Sequence, residues 1–348
     1  MIRNRKKLIG FALSLCALAG SVFSQTPPPR EPTPLRPKAP KVDIYAPPDA
    51  KSFPGFPEKD GLTTEKSIPV DPNVSIKVCV AEGDLKINGW ERDEVRIFVK
   101  DGSKFGVKIL EKSADSGKPN WIHIKRAADQ AAPGAQIREC ISGQAIEMDV
   151  PMKASLTVEG RVTRTTVDSV RKIYIKNLEG NLSLRNIAGG ITANTYQGDV
   201  TVENSGGAIS LESATGNIVA FEVSPGQIGD VFKAKTNSGT ISLQKLEHRQ
   251  IDANSITGSV LFNSKFLMGG LYNFKTSNGS IRLTIPSASS CTIKASYGFG
   301  RFNSEIPLKI LTENETPGGS SVVASIGEGD ACTVSMTTNN GSIGIKKQ

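Results

Sequence analysis

Few residues here carry reactive side chains at spacings that chemistry uses. The 348-residue chain has two histidines and five cysteines. His123 sits in Trp121-Ile122-His123-Ile124-Lys125, where alternation puts it on the face opposite the two isoleucines, so it reads as an exposed strand residue. His248 lies in Lys245-Leu246-Glu247-His248-Arg249, a charged stretch that reads as a loop. There is no Gly-x-Ser-x-Gly elbow, His-Glu-x-x-His or Cys-x-x-Cys. Glu222 and Asp230 stand in an irregular stretch from Phe221 to Val231, with Glu247 and Asp252 one step further on. Carboxylates converging in a groove would suit cleavage of a polysaccharide, one as acid and one as base or nucleophile. Acids scattered on corners would give the same spacing. Gly83-Asp84, Gly198-Asp199 and Gly216-Asn217 invite a calcium reading, but the Gly-Gly-x-Gly-x-Asp repeat is missing and turn chemistry accounts for them. No catalytic residue, cofactor or metal site is expected.

The elements that would hold such residues are set by one recurring phrase: Gly, a small or polar residue, an apolar residue, any residue, a second apolar residue. Gly180 leads to Leu182 and Leu184, Gly198 to Val200 and Val202, and Gly216 to Ile218 and Ala220. Gly239 leads to Ile241 and Leu243, Gly258 to Val260 and Phe262, and Gly279 to Ile281 and Leu283. The glycines are 18, 18, 23, 19 and 21 residues apart. Gly341 repeats the phrase with Ile343 and Ile345. Apolar residues two apart share one face of a strand, and Gly before the strand suits a corner. Gly207, with Ile209 and Leu211, echoes the phrase at half the period. Two short strands and two corners cannot bury their own apolar pairs, but stacked rungs make continuous apolar ladders. The fold class is therefore all-β, a β-solenoid of single-stranded β-helix type with rungs of about 20 residues. An antiparallel sandwich is the competing pattern, since its strands also alternate.

Arg3, Arg5, Lys6 and Lys7 precede an apolar run from Leu8 to about Gly20, and residues 1–24 read as a signal peptide cut before Gln25. The run is too short for a stable transmembrane segment once cleaved, and Leu15 is too bulky for lipoprotein processing at Cys16. Removing the four basic residues of this leader lowers the net charge from +8 to +4, which leaves no footprint for nucleic acid. Residues 25–60 hold more than half of the twenty prolines and read as a disordered leader or spacer. Residues 61–150 alternate without a 20-residue step and are expected to form a modified N-terminal cap. Residues 151–348 carry the regular rungs, Gly300 continuing the stack 21 residues after Gly279, with a loop excursion at about 305–329.

Thr276-Ser277-Asn278-Gly279-Ser280-Ile281, then Ala295-Ser296-Tyr297-Gly298-Phe299-Gly300 with Ser304-Glu305-Ile306-Pro307-Leu308, then Thr338-Asn339-Asn340-Gly341-Ser342-Ile343 form a recognisable order. It resembles the bacterial adhesin-like domains of unknown function, a family of exported β-strand-repeat proteins, over about residues 150–348. The resemblance implies a β-solenoid, an exported or surface address and a role in adhesion. It supplies no catalytic residues, and the mature cysteines and proline-rich leader depart from it.

Without Cys16, four cysteines remain, an even number suited to an oxidising compartment. Cys291 precedes Gly300 by nine residues and Cys332 precedes Gly341 by the same nine. If 305–329 loops out, they occupy matching positions on adjacent rungs, ~4.8 Å apart and within reach of a disulfide. Cys291–Cys332 is expected, and Cys79–Cys140 by elimination. Together these readings describe an exported module, periplasmic, on the cell surface or extracellular, that meets a protein or glycan ligand of the surface or envelope. A polysaccharide-active β-helix enzyme and a purely structural envelope protein are the alternatives.

Overall fold

A computed structural model describes residues 64–127, 140–329 and 331–348. The signal peptide and proline-rich leader lie outside the described residues. Every regular element among those described is a β-strand.

The N-terminal part holds β1 (Glu65–Pro69), β2 (Ser75–Trp90), β3 (Glu94–Lys100), β4 (Phe105–Lys112), β5 (Pro119–Arg126), β6 (Ile141–Pro151) and β7 (Ser155–Asp168). The regular rungs follow as strand pairs: β8 (Lys172–Glu179) with β9 (Leu182–Arg185), β10 (Ile191–Gln197) with β11 (Val200–Gly206), and β12 (Ile209–Thr215) with β13 (Ile218–Ser224). Next come β14 (Val231–Ser238) with β15 (Ile241–Leu246), β16 (Gln250–Thr257) with β17 (Val260–Asn263), and β18 (Gly270–Asn278) with β19 (Ile281–Ile285). Last are β20 (Cys291–Phe299), β21 (Phe302–Ser304), β22 (Lys309–Thr316), β23 (Gly319–Ile326), β24 (Cys332–Asn340) and β25 (Ile343–Lys347).

Even-numbered strands β8 to β18 form one parallel ladder. Odd-numbered strands β9 to β19 form a second. Parallel neighbours exclude the antiparallel sandwich and make the fold a β-solenoid, with one strand of each rung in each ladder. Register follows the apolar pairs. Ile173, Ile191, Ile209, Phe232, Ile251 and Tyr272 make one column of the first ladder. Leu182, Val200, Ile218, Ile241, Val260 and Ile281 make one of the second. Both columns are buried in a shared core between the ladders. A one-residue slip would turn each pair to solvent, so burial fixes the register.

The cap is built from strands long enough to run through both ladders. β7 pairs with β8 through Ser155–Val162 and with β9 through Thr165–Asp168, and β2 lies along β7 over the same span. Beyond β2 each ladder turns antiparallel: β4 on β5 in the first, β3 on β6 and β1 on β3 in the second. Antiparallel strands end the climb of the solenoid and cover its first rung.

The other end departs from sequence order. β24 pairs with β18 on one side and β20 on the other, and β25 lies between β19 and β21. The terminal rung is thus wedged between two earlier ones, and the rung at Gly300 does not follow directly on Gly279 as its spacing suggests. Residues 305–329 are also no loop: they form the antiparallel hairpin β22–β23, and β23 pairs with β20. In β23, Val322, Ala324 and Ile326 alternate and are buried, which gives the segment a core-facing side. The two corrections share a cause. β23 can take the outer edge of β20 only if β20 is the outermost rung, so the terminal rung must enter beneath it.

Candidate functional site

Each rung turns its first corner at the recurrent glycine. Gly180, Gly198, Gly216, Gly239, Gly258 and Gly341 have φ between +120° and +156°. A Cβ on Gly198 would lie 2.3 Å from the Gly180 carbonyl oxygen, so rungs stack here backbone on backbone. Gly279 is equally crowded, with a Cβ meeting Gly258 O at 2.1 Å. Three residues before Gly216, Gly239, Gly258 and Gly279 an inward hydroxyl donates to the corner glycine below: Ser213 to Gly198 O at 2.9 Å, Thr236 to Gly216 O at 2.9 Å, Ser255 to Gly239 O at 2.9 Å, and Thr276 to Gly258 O at 2.7 Å. On the outside, Asn181 Oδ1 accepts from Asp199 N–H, Asp199 Oδ1 from Asn217 N–H, and Asn217 Oδ1 from Thr240 N–H. The Asx residues after Gly180, Gly198 and Gly216 therefore satisfy turn backbone on the rung above.

A second corner column was missed from sequence. Ser169, Asn186, Asn204, Glu222 and Lys245 take left-handed φ of 44° to 61° at matching places in the second ladder. Asn186 Nδ2 donates to Asp168 and Asn204 Nδ2 to Asn186, at 2.7 and 2.6 Å. Burial alone would raise the Asp168 pKa, but hydrogen bonds from Asn186, Arg185 and Ser169 outweigh it and hold the carboxyl below its usual range. The signal was present: residues 186, 204 and 222 repeat at a step of 18.

The carboxylates singled out for catalysis all have structural partners. Glu222 pairs with Lys245 at 2.7 Å, and Glu247 with Lys265 at 3.7 Å. Asp230 Oδ2 accepts from the N–H groups of Gly226 and Gln227, closing a turn, and Asp252 Oδ1 accepts from Asn273 Nδ2 at 3.2 Å. His123 is half-buried on β5. His248 lies in the loop between β15 and β16, as its charged neighbours imply, but its side chain is fully buried. Its Nε2–H donates to Gly207 O at 2.8 Å, its ring meets Phe232 edge-on, and Nδ1 has no partner. Burial lowers its pKa, against the smaller effects of the Gly207 bond and of Asp230. Among the described residues no group of three or more His, Cys, Asp or Glu side chains could hold a metal ion. The structure joins Cys79 to Cys140 and Cys291 to Cys332, the latter with Cα atoms 4.6 Å apart on β20 and β24.

What the fold leaves to solvent is surface. The outer face of the second ladder gathers Ser242, Gln244, Leu261, Asn263, Arg282 and Thr284 around a hollow of about 190 Å³. Beside it, Lys245 Nζ lies 4.8 Å from the centre of the Phe221 ring. At the cap, Glu82, Asp84, Asp101, Arg126 and Gln144 line an open cleft of about 620 Å³. Amides, hydroxyls, a guanidinium and an aromatic edge suit reversible polar contact.

Fold and corners together define a two-ladder β-solenoid whose repeat residues serve the stack. The chain belongs to the Toastrack DUF4097 family, whose model matches residues 140–346. That name describes a domain of unknown function, the kind of family to which the Thr276–Ile281 and Thr338–Ile343 segments were likened. A crystal structure of a candidate cell adhesion protein from Clostridium sporogenes aligns with 82% of this chain and 99% of that chain, at 12% identity and a TM-score of 0.24. A likeness that loose carries no argument. No curated protein matches the chain.

Proposed function

We propose that this chain is an exported, non-enzymatic module that holds a rigid solenoid face toward a protein or glycan of the cell surface or envelope. The observation that carries the reading is the division of labour among its polar groups. Each carboxylate placed for catalysis is tied to a lysine, an amide or a turn, whereas the outer face around Gln244, Asn263 and Arg282 faces solvent. Two disulfides support an oxidising address outside the cytoplasm, to which a leader read as ending at Ser24 would direct the chain. The test is a glycan array paired with an envelope pull-down, using the chain from Gln25 onward. Retention of an envelope component that is lost on Gln244→Ala with Arg282→Ala supports the reading. Depolymerisation of an array glycan, or retention indifferent to that face, overturns it.

A further inference from the structure

The wedged terminal rung has a consequence for how copies of this chain meet. The slot it fills is walled by β18 and β19 on one side and β20 and β21 on the other, all between residues 270 and 304. What the terminal rung recognises lies in those walls and at Glu305 just beyond β21, which meets Ile345, Lys346 and Lys347. Thr338 Oγ1 donates to Gly279 O at 2.9 Å and Asn340 Nδ2 to Asn278 Oδ1 at 2.7 Å. A Cβ on Gly341 would meet Gly279 O at 1.9 Å, and one on Gly300 would meet Gly341 O at 2.1 Å. Val334, Met336, Ile343 and Ile345 are buried beside the wall residues. These contacts are the same whichever copy supplies the rung, which is the condition for exchanging an element between identical chains.

The tether also permits it. Ile326, the last residue of β23, lies opposite Cys291, and Cys332 lies on the other side of that same residue. Ile326 and Cys332 thus stand about two strand spacings apart, ~9.6 Å, whereas a five-residue connection can reach roughly 17 Å when extended. Gly327 and Gly329 sit at φ 60° and 82°, values that glycine leaves without penalty. The rung can leave its slot while β22 and β23 stay paired. An empty slot exposes the ladder edges of β18 and β20 at once, and two unpaired edges flanking one gap accept a strand on both sides.

We propose that this slot takes residues 332–347 from a second copy of the chain as well as from its own, so that copies join by reciprocal rung exchange. At low concentration the tether favours the cis rung; at high concentration the trans rung competes. Cys291 on the slot and Cys332 on the rung record the choice, since the bond between them closes within one copy or between two.

The experiment mixes equal amounts of isotope-labelled and unlabelled chain, from Gln25 onward, at high concentration. The mixture is reduced, warmed close to its unfolding midpoint, cooled, reoxidised and mapped by mass spectrometry without reduction, on whatever species form. Exchange predicts that up to about half of the Cys291–Cys332 peptides carry one labelled and one unlabelled partner. The Cys79–Cys140 peptides should stay unmixed, and mixing should fall as the protein is diluted. Unmixed Cys291–Cys332 peptides at every concentration overturn the proposal. Equal mixing at both disulfides overturns it too, because it means general thiol scrambling.

Discussion

Replacing Gly239 by alanine tests the corner mechanism, with Gly229 as its internal control. Both glycines have left-handed φ, +156° and +95°, but a Cβ at 229 meets nothing within 4 Å, whereas one at 239 lies 2.0 Å from Gly216 O. Gly229→Ala carries conformational strain alone, about 1–3 kcal/mol. Gly239→Ala adds a contact that real Cβ atoms do not make below 3.0 Å, so the two corners must part by about 1 Å. Three hydrogen bonds cross that gap: Thr236 Oγ1 to Gly216 O at 2.9 Å, Gly216 N–H to Ser238 O at 2.9 Å, and Ile218 N–H to Thr240 O at 3.0 Å. Each is worth about 1 kcal/mol net, so opening the corner adds roughly 3 kcal/mol to the strain. A total of about 4–6 kcal/mol is a large share of the 5–15 kcal/mol typical of a domain. Guanidinium unfolding followed by circular dichroism reads the difference, and hydrogen exchange at Gly216 and Ile218 locates it. Equal losses in the two variants would refute the stacked-corner account.

Three further outcomes follow from the same geometry. Ser213→Ala, which orphans the Gly198 carbonyl, should lower stability by about 1–2 kcal/mol, while Ser210→Ala on the outer face should stay within about 0.5 kcal/mol; equal effects in the unfolding titration would deny the hydroxyl column a role. His248 binds a proton less readily folded than unfolded, so stability should be flat above its ordinary value of 6.5 and decline as pH falls from there toward the lower folded value. His248→Gln should flatten that part of the curve, and an unchanged slope would place the effect elsewhere. Glu222→Ala combined with Asp230→Ala removes a surface ion pair and a turn acceptor, for about 1–2 kcal/mol together; ligand retention should persist, and loss of a measurable depolymerising activity would restore the enzyme reading.

How far the sequence could be read depended on which residues carry a fixed offset. The Gly-x-apolar-x-apolar phrase exposed strands, corners and rung length, because alternation and a Cβ-free corner are local demands. The hydroxyl column was equally periodic, with Thr195, Ser213, Thr236, Ser255 and Thr276 each three residues before its glycine. It went unread because a small polar residue on an alternating strand is ordinarily placed outside. Its parity says otherwise, since Ser213 shares the face of Ile209 and Leu211. His248 sits in the loop that its sequence implies, yet its side chain is buried. Its charged neighbours describe the outside of a corner, while the residue itself turns inward against Phe232 and the Gly207 carbonyl.

Rung order at the C-terminal end lies beyond what a repeat can encode. Gly300 and Gly341 each meet the requirement for stacking on Gly279: a glycine corner, an inward residue three places before it, and an apolar or aromatic residue two places after it. Nearest-neighbour rules therefore allow either rung to come next. The choice is made by a segment outside the repeat. Val322, Ala324 and Ile326 must be buried, and the antiparallel edge that buries them exists only on β20. Seating β20 directly on β18 would leave β24 on its far edge, the edge that β23 occupies. The hairpin that looked like an interruption of the repeat thus decides how the repeat ends, and the same requirement holds open the slot that the terminal rung must enter.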